Sequence, residues 1–247
     1  MKVLFTRPES LKDVPFRFCP GCGHSILHRI VAECIDELSL RERTIGIAPV
    51  GCAVFAYDYF NFDIIECAHG RPPAVATALK RVMPNRIVFS YQGDGDLAAI
   101  GLAEIIHAAN RGENFTVIFV NNATYGMTGG QMAPTTLLEQ KTTTTPKGRD
   151  KVSHGYPMPV AEIMATLPSV VYVARTSITN AKEILATKRH IKKAFQNQVE
   201  GKGFSFVEVL SPCPTDWGVT PTDALAWING SMKNTFKLGI LKDISSG

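Results

Sequence analysis

Residues 86–122 read RIVFSYQGDGDLAAIGLAEIIHAANRGENFTVIFVNN. Two apolar runs, Arg86–Gln92 and Phe115–Val120, each end in a short polar motif. The first runs into Gly93-Asp94-Gly95-Asp96, the second into Asn121-Asn122. Between them, Leu97–Asn110 reads as a helix closed by Gly112, a common helix terminator. Strand, helix and strand make one crossover of a parallel sheet, which suits the 28 positions from Asp94 to Asn122. Such a sheet brings Asp94 and Asn122 side by side at the carboxyl ends of neighbouring strands, where doubly wound sheets bind ligands. A carboxylate and an amide oxygen there can hold one Mg²⁺, which usually takes further ligands from phosphates. A backbone carbonyl just downstream, at Thr124, completes the protein's share. The plain alternative is a turn that only joins strand to helix, since Gly and Asp are ordinary turn residues. The Asn pair at crossover distance weighs against it.

Outward from this stretch the pattern repeats. Ser25–Leu38 is a helix with Ile26, Ile30, Cys34 and Leu38 on one stripe. Thr44–Val50 and Phe62–Cys67 are short strands, and Ala74–Val82 is a helix entered through Pro72-Pro73. Asn121 to about Pro157 is a long loop, and loops of that length in compact domains are usually functional. Val160–Thr166 is a helix, Val170–Val173 a strand, and Asn180–Val199 an amphipathic helix burying Ile184, Ile191, Phe195 and Val199. Phe204–Leu210 is the final strand, Thr222–Asn234 the last helix, and a polar tail follows. Strands alternating with helices predict one α/β domain over 1–247, with a mostly parallel central sheet and helices on both faces. Residues 1–18 form an irregular arm.

The 247 residues are 45% hydrophobic and 19% charged, which excludes a disordered chain. A net charge of +4 is too small to argue for nucleic acid. Neither a signal-peptide core nor a run of membrane-spanning length is present, so a cytoplasmic protein is expected. Six cysteines in that compartment suggest metal or redox chemistry before disulfides. Cys19 and Cys22 form one C-x-x-C, Cys52 follows a strand-end glycine, and Cys213 lies between two prolines after the last strand. Cys34, on a buried stripe, and Cys67, at a strand end, read as small apolar residues.

Gly93-Asp94-Gly95 with Asn121-Asn122 resembles the thiamin-diphosphate binding motif. The wider set resembles the beta subunit of the 2-oxoacid:ferredoxin oxidoreductases, of the 2-oxoisovalerate or 2-oxoglutarate type. That set comprises Cys19-Pro20-Gly21-Cys22-Gly23-His24, Gly51-Cys52, His69-Gly70-Arg71, Gly93–Asp96, Tyr125–Gln131 and Ser211-Pro212-Cys213. The likeness runs from about Phe16 to Trp217. It implies a thiamin-diphosphate-binding fold with an iron–sulfur-ligating arm at about 1–24. It also implies Mg²⁺ on Asp94, Asn122 and the Thr124 carbonyl, and a [4Fe–4S] cluster on Cys19, Cys22, Cys52 and Cys213. Gly51, Cys52, His69, Gly70, Arg71, Gly93, Asp94, Gly95, Asp96, Asn122, Thr124, Tyr125, Gly126, Met127 and Thr128 match cofactor-contacting stretches. His69 and Arg71 are the candidate catalytic side chains, Arg71 because guanidinium suits phosphate geometry. From the residues alone, zinc remains a rival for the four thiolates.

The resemblance implies coenzyme A-dependent oxidative decarboxylation of a 2-oxoacid, with electrons passing to ferredoxin. Thiamin enzymes also need a carboxylate beside the aminopyrimidine. Glu104 lies mid-helix and Glu66 is a weak candidate, so this Glu is expected from a separate alpha subunit, with gamma and delta subunits as further partners. Gly129, where 2-oxoglutarate-type members tend to carry lysine, tilts the expectation toward a branched-chain oxoacid. His24 reads equally as a helix cap. Lys182, Lys188, Arg189, Lys192 and Lys193 form a basic face, read first as solvated and second as a ferredoxin dock. Two rival functions stay open. A non-oxidative thiamin-dependent decarboxylase or synthase leaves the cysteines idle, and a non-catalytic zinc-stabilised subunit leaves the Asp–Asn pair idle.

Overall fold

The structure, a computed structural model, describes residues 6–245. The expected start of the arm, 1–5, lies outside the described residues. Seven strands form one sheet: β1 Thr44–Pro49, β2 Asp63–Cys67, β3 Ile87–Gly93, β4 Thr116–Asn121, β5 Val170–Ser177, β6 Phe204–Leu210 and β7 Gly239–Asp243. Their order is β2-β1-β3-β4-β6-β5-β7, and every pairing is parallel except β5 with β7. β3 and β4 are direct neighbours, with Gly93 opposite Val120. The crossover read from the sequence is therefore the one the chain makes.

Two apolar layers cover the sheet, and that is why β1, β3, β4 and β6 are apolar along nearly their whole length. Helices His24–Glu37 and Ala181–Val199 close one face around Leu27, Val31, Ile35, Phe89, Ile191 and Phe195. Helices Pro72–Val82, Leu102–Asn110 and Val160–Thr166 close the other around Ala76, Val88, Ile105, Phe115, Met164 and Phe206. A smaller cluster of Ala123, Leu137, Leu210, Ile228, Met232 and Phe236 lies under the long loop.

The departures have local causes. β5 extends to Ser177 because its polar end is paired internally. Arg175 bonds Glu208 and Glu162, Thr176 meets Thr187, and Ser177 donates to Glu183. The tail is an antiparallel edge strand, β7. The helix after Asp94 opens with a wider π-turn, Gly95–Ile100, before Leu102–Asn110. The last expected helix is broken into Pro221–Trp227, a second wide turn over Ile228–Met232 and a short helix, Lys233–Thr235. Ile26 and Val199, expected on buried stripes, are exposed at the ends of theirs.

Part of the basic face is structural. Lys188 pairs with Glu33 at 2.8 Å and Glu37 at 2.6 Å, and Lys192 pairs with Glu37 at 2.7 Å. These pairs join the two helices on that side of the sheet. Among the described residues no helix is long and apolar enough to cross a membrane.

Candidate active site

The carboxyl ends of β1, β3 and β4 open into a cleft with a cavity volume of about 90 Å³. Asp94 stands at its floor, nearly fully buried. One carboxylate oxygen accepts the Gly95 N–H at 2.9 Å; the other accepts the Thr124 N–H at 3.1 Å and the Thr135 hydroxyl at 2.6 Å. Burial pushes the Asp94 carboxyl up to about 7 in spite of these three donors. A buried carboxylate of this kind gains most from a cation. Asn122 Oδ1 accepts the same Thr124 N–H at 3.3 Å, so both candidate ligand oxygens converge on one point of the backbone.

The two asparagines have different roles. Asn121, the last residue of β4, turns into the sheet. Its amide donates to Glu208 at 2.7 Å, and its carbonyl oxygen accepts the Ala123 N–H at 3.1 Å. That bond holds Ala123 at φ 56°, a left-handed turn uncommon for alanine. The turn presents Asn122 to the cleft. Glu208 is itself held at 2.8 Å by the fully buried Arg175, which reaches Glu162 with its other nitrogens.

Asp96 organises the other wall. It accepts the Gly70 N–H and the Gln92 amide, each at 2.6 Å, and bonds His69 Nδ1. Burial raises its carboxyl, and these donors oppose the rise. With Nδ1 engaged, His69 lines the cleft as an oriented imidazole. Of the residues expected at the cofactor, only Gly70 and Arg71 do not line the cleft. Gly70 packs behind it against Gly101, and Arg71 pairs with Glu104 at the protein surface. Glu66 is exposed on the edge strand β2. Gly129 also stands outside the cleft, at φ 97°.

The cysteine knuckle seats on the turn after β6. Gly23 N–H donates to the Pro212 carbonyl at 3.4 Å, and Cys22 N–H to the Cys19 carbonyl at 3.0 Å. Cys52 lines the cleft itself. Burial pushes Cys22 up to about 12 and Cys52 up to about 11. Cys19, Asp216 and, for Cys22, Cys52 add to the rise, so these groups feel one another's charge. Cys213 is raised by burial and then by Asp216, whose carboxylate accepts its Sγ–H at 3.1 Å. Cys34 is buried in the core, as expected. Cys67 is half-buried near Asp96, with its thiol pushed up to about 12, first by burial and then by Asp96.

His24 does not cap its helix. Its ring is buried against Phe18, with Nδ1 on the Tyr91 hydroxyl at 2.7 Å, and it lines the cleft beside the knuckle. Burial, then His28, lowers it to about 3, so it is a neutral imidazole.

The long loop is held by one buried side chain. The Arg149 guanidinium donates to six carbonyls, those of Ala133, Pro134, Thr136, His154, Gly155 and Tyr156, at 2.6–3.3 Å. Thr135 is thereby fixed where it meets Asp94. At the loop's start the Tyr125 ring packs against Gly95, where an added Cβ would come within 2.3 Å of it.

These residues fit the groups that the motif implies. Asp94, Asn122 and the Thr124 carbonyl are hard oxygen donors suited to Mg²⁺. Gly51, at φ 108°, and Gly93 leave open space where a Cβ would stand, which makes a cradle for a bound molecule. Four thiols from three chain segments form a soft donor set. Among the described residues no three His, Cys, Asp or Glu side chains converge as on a single metal ion. A cubane cluster instead binds its thiolates at separate corners. Thr135, Asp216 and the Asn121–Glu208 link were not legible in the sequence; His24 was, through its place in the cysteine knuckle.

Residues 50–209 match the family model of the thiamine pyrophosphate enzyme C-terminal TPP-binding domain, the cofactor otherwise called thiamin diphosphate. The chain is 47% identical over 255 residues to the ketoisovalerate oxidoreductase subunit VorA of Methanothermobacter marburgensis, covering 99% of this chain and 53% of that one. It thus spans about half the length of that relative. It is 37% identical over 238 residues to the 2-oxoglutarate synthase subunit KorB of Methanocaldococcus jannaschii, covering 94% and 83%. A solved 2-oxoglutarate:ferredoxin oxidoreductase from Magnetococcus marinus, with 2-oxoglutarate, coenzyme A and succinyl-CoA bound, superposes with a TM-score of 0.78. It is 26% identical, and the match covers 98% of this chain and 86% of that one. Together with the Asp94–Asn122 cleft, these likenesses place the chain in the family of thiamin-diphosphate-binding beta subunits of the 2-oxoacid:ferredoxin oxidoreductases.

Proposed function

We propose that this chain is the thiamin-diphosphate, Mg²⁺ and [4Fe–4S] subunit of an enzyme that oxidatively decarboxylates a 2-oxoacid to its coenzyme A thioester and reduces ferredoxin. One observation carries the reading: Cys52 lines the same cleft as Asp94 and Asn122. A two-electron carbon chemistry and a one-electron acceptor would then share a wall.

Asp94, Asn122 and the Thr124 carbonyl would hold Mg²⁺ and, through it, a diphosphate. Cys19, Cys22, Cys52 and Cys213 would hold the cluster. When bound, thiamin diphosphate supplies an electron sink for carbon–carbon cleavage, and the cluster supplies one-electron transfer. The chain's own residues prepare the ground. Asp96 fixes His69 by its Nδ1, which leaves Nε2 to hydrogen-bond in the cleft. Arg71, engaged by Glu104 at the surface, becomes a candidate for steering anions, not for contacting the cofactor. His24, neutral and buried, excludes water between the knuckle and the cleft.

The two carboxylates that line the cleft among the described residues, Asp94 and Asp96, are both committed. The activating Glu therefore belongs to an alpha subunit, which also completes the substrate and coenzyme A sites. Gamma and ferredoxin-like delta subunits complete the assembly, in the cytoplasm. Val50 and Met127, each 44% exposed, give the cleft an apolar rim suited to a branched-chain oxoacid over 2-oxoglutarate.

The test is the variant Cys213→Ala in the complex assembled without oxygen. Ferredoxin reduction should be lost while Mg²⁺-dependent thiamin diphosphate binding persists. Unchanged ferredoxin reduction, or a colourless wild-type protein carrying zinc, would defeat the reading.

A further inference from the structure

The Asp216 carboxylate lies among the cysteines. It accepts the Cys213 thiol at 3.1 Å. Gly126 marks the spot from the cleft side. A Cβ built there would lie 3.3 Å from Cys52 Sγ, 3.4 Å from Asp216 Oδ2 and 3.6 Å from the Asn122 amide nitrogen. The next residue, Trp217, donates its indole N–H to the Asn122 carbonyl at 3.1 Å. The short turn Pro214–Trp217 therefore spans from a cysteine to a cation ligand, with a carboxylate at its middle. Several other acids that are buried or half-buried have a cationic partner: Glu208 has Arg175, Glu183 has Lys233, and Glu113 has Arg81 and Arg111. Among the described residues no Lys, Arg or His pairs with Asp216.

We propose that Asp216 is a positioning residue that sets the reduction potential of the electron acceptor held by Cys19, Cys22, Cys52 and Cys213. The proposal rests on the cluster reading above. An unpaired negative charge beside the thiolates opposes the arrival of one more electron, so it favours the oxidised form and lowers the potential. A low potential is what lets an acceptor pass its electron on to another low-potential one-electron carrier. Asp216→Asn keeps the side chain's volume and removes its charge.

The experiment is a redox titration of the assembled complex followed by electron paramagnetic resonance, with wild type, Asp216→Asn and Asp216→Glu. Asp216→Asn should raise the ratio of reduced to oxidised cluster at a fixed potential about tenfold, a midpoint shift of roughly 59 mV for one electron. The line shape and iron content should be unchanged, and Asp216→Glu should restore the wild-type midpoint. An unshifted midpoint in Asp216→Asn overturns the proposal. Iron lost from Asp216→Asn but kept in Asp216→Glu also overturns it, by making the carboxylate part of cluster retention. A wild-type complex without any cluster signal overturns the cluster reading and this proposal together.

Discussion

Thr135→Val tests the proposal that Asp94 holds Mg²⁺ at the floor of the cleft. Thr135 is fully buried and its hydroxyl makes the shortest of the three bonds to Asp94. Valine fills nearly the same space, so the change removes one donor and little else. A hydrogen bond to a charged group contributes about 1.5–3 kcal/mol, and about 1.4 kcal/mol corresponds to one pKa unit. The loss should move the Asp94 carboxyl from about 7 to about 8 or 9. Near neutral pH the ionised fraction then falls from about half to about a tenth or a hundredth. Mg²⁺ competes with that proton, so its apparent affinity in the presence of thiamin diphosphate should fall roughly 5- to 50-fold. The assay is calorimetric titration of Mg²⁺ at several pH values. The defect should shrink steadily as the pH rises by about two units. An equal loss at every pH, or none, would refute the reasoning, because damage to shape alone has no pH dependence.

Gly95→Ala should push the Tyr125 ring out of the cleft wall and abolish thiamin diphosphate binding while leaving the fold's circular dichroism intact. Arg149→Met leaves six carbonyls without their buried donor. It should destabilise the chain by about 3–5 kcal/mol in denaturant unfolding and expose the 121–157 loop to limited proteolysis. The Asp94 carboxyl is raised in the folded chain, so the cofactor-free fold binds more protons than the unfolded chain. Its stability should decline as the pH climbs from about 4 through about 7. Melting temperatures should show that decline, and Mg²⁺ with thiamin diphosphate should stabilise more at the upper end of the range than at the lower.

Much of this architecture is legible along the chain because parallel strands buried on both faces must be apolar throughout. Ile87–Tyr91 and Val117–Val120 announce themselves that way, and the polar motifs that follow mark the site. β5 is half hidden, since Arg175, Thr176 and Ser177 look like an exit from the core. Their partners, Glu208, Glu162, Thr187 and Glu183, are remote or on a helix face. The same limit applies at the site. Asn121 and Asn122 read as one motif, and only the turn at Ala123 tells the asparagine that turns into the sheet from the one that lines the cleft. Thr135 reaches Asp94 across 41 positions through a loop whose shape depends on Arg149. Arg71 looked like a phosphate ligand by composition, and its engagement with Glu104 depends on how two helices pack.

The reversed strand β7 carries a consequence for handling the protein. β5 is buried along almost all of its length, and its outer edge is sealed by Gly239–Asp243, with Ile244 N–H continuing the ladder to Val171 at 2.9 Å. Cutting the chain before Gly239 would leave the cleft's residues in place and strip a row of backbone donors and acceptors of their partners. A bare, apolar strand edge of that kind pairs with whatever strand it meets. The loss would show first as self-association of folded molecules and only later as unfolding. The last described strand serves as a shield against the chain's own copies.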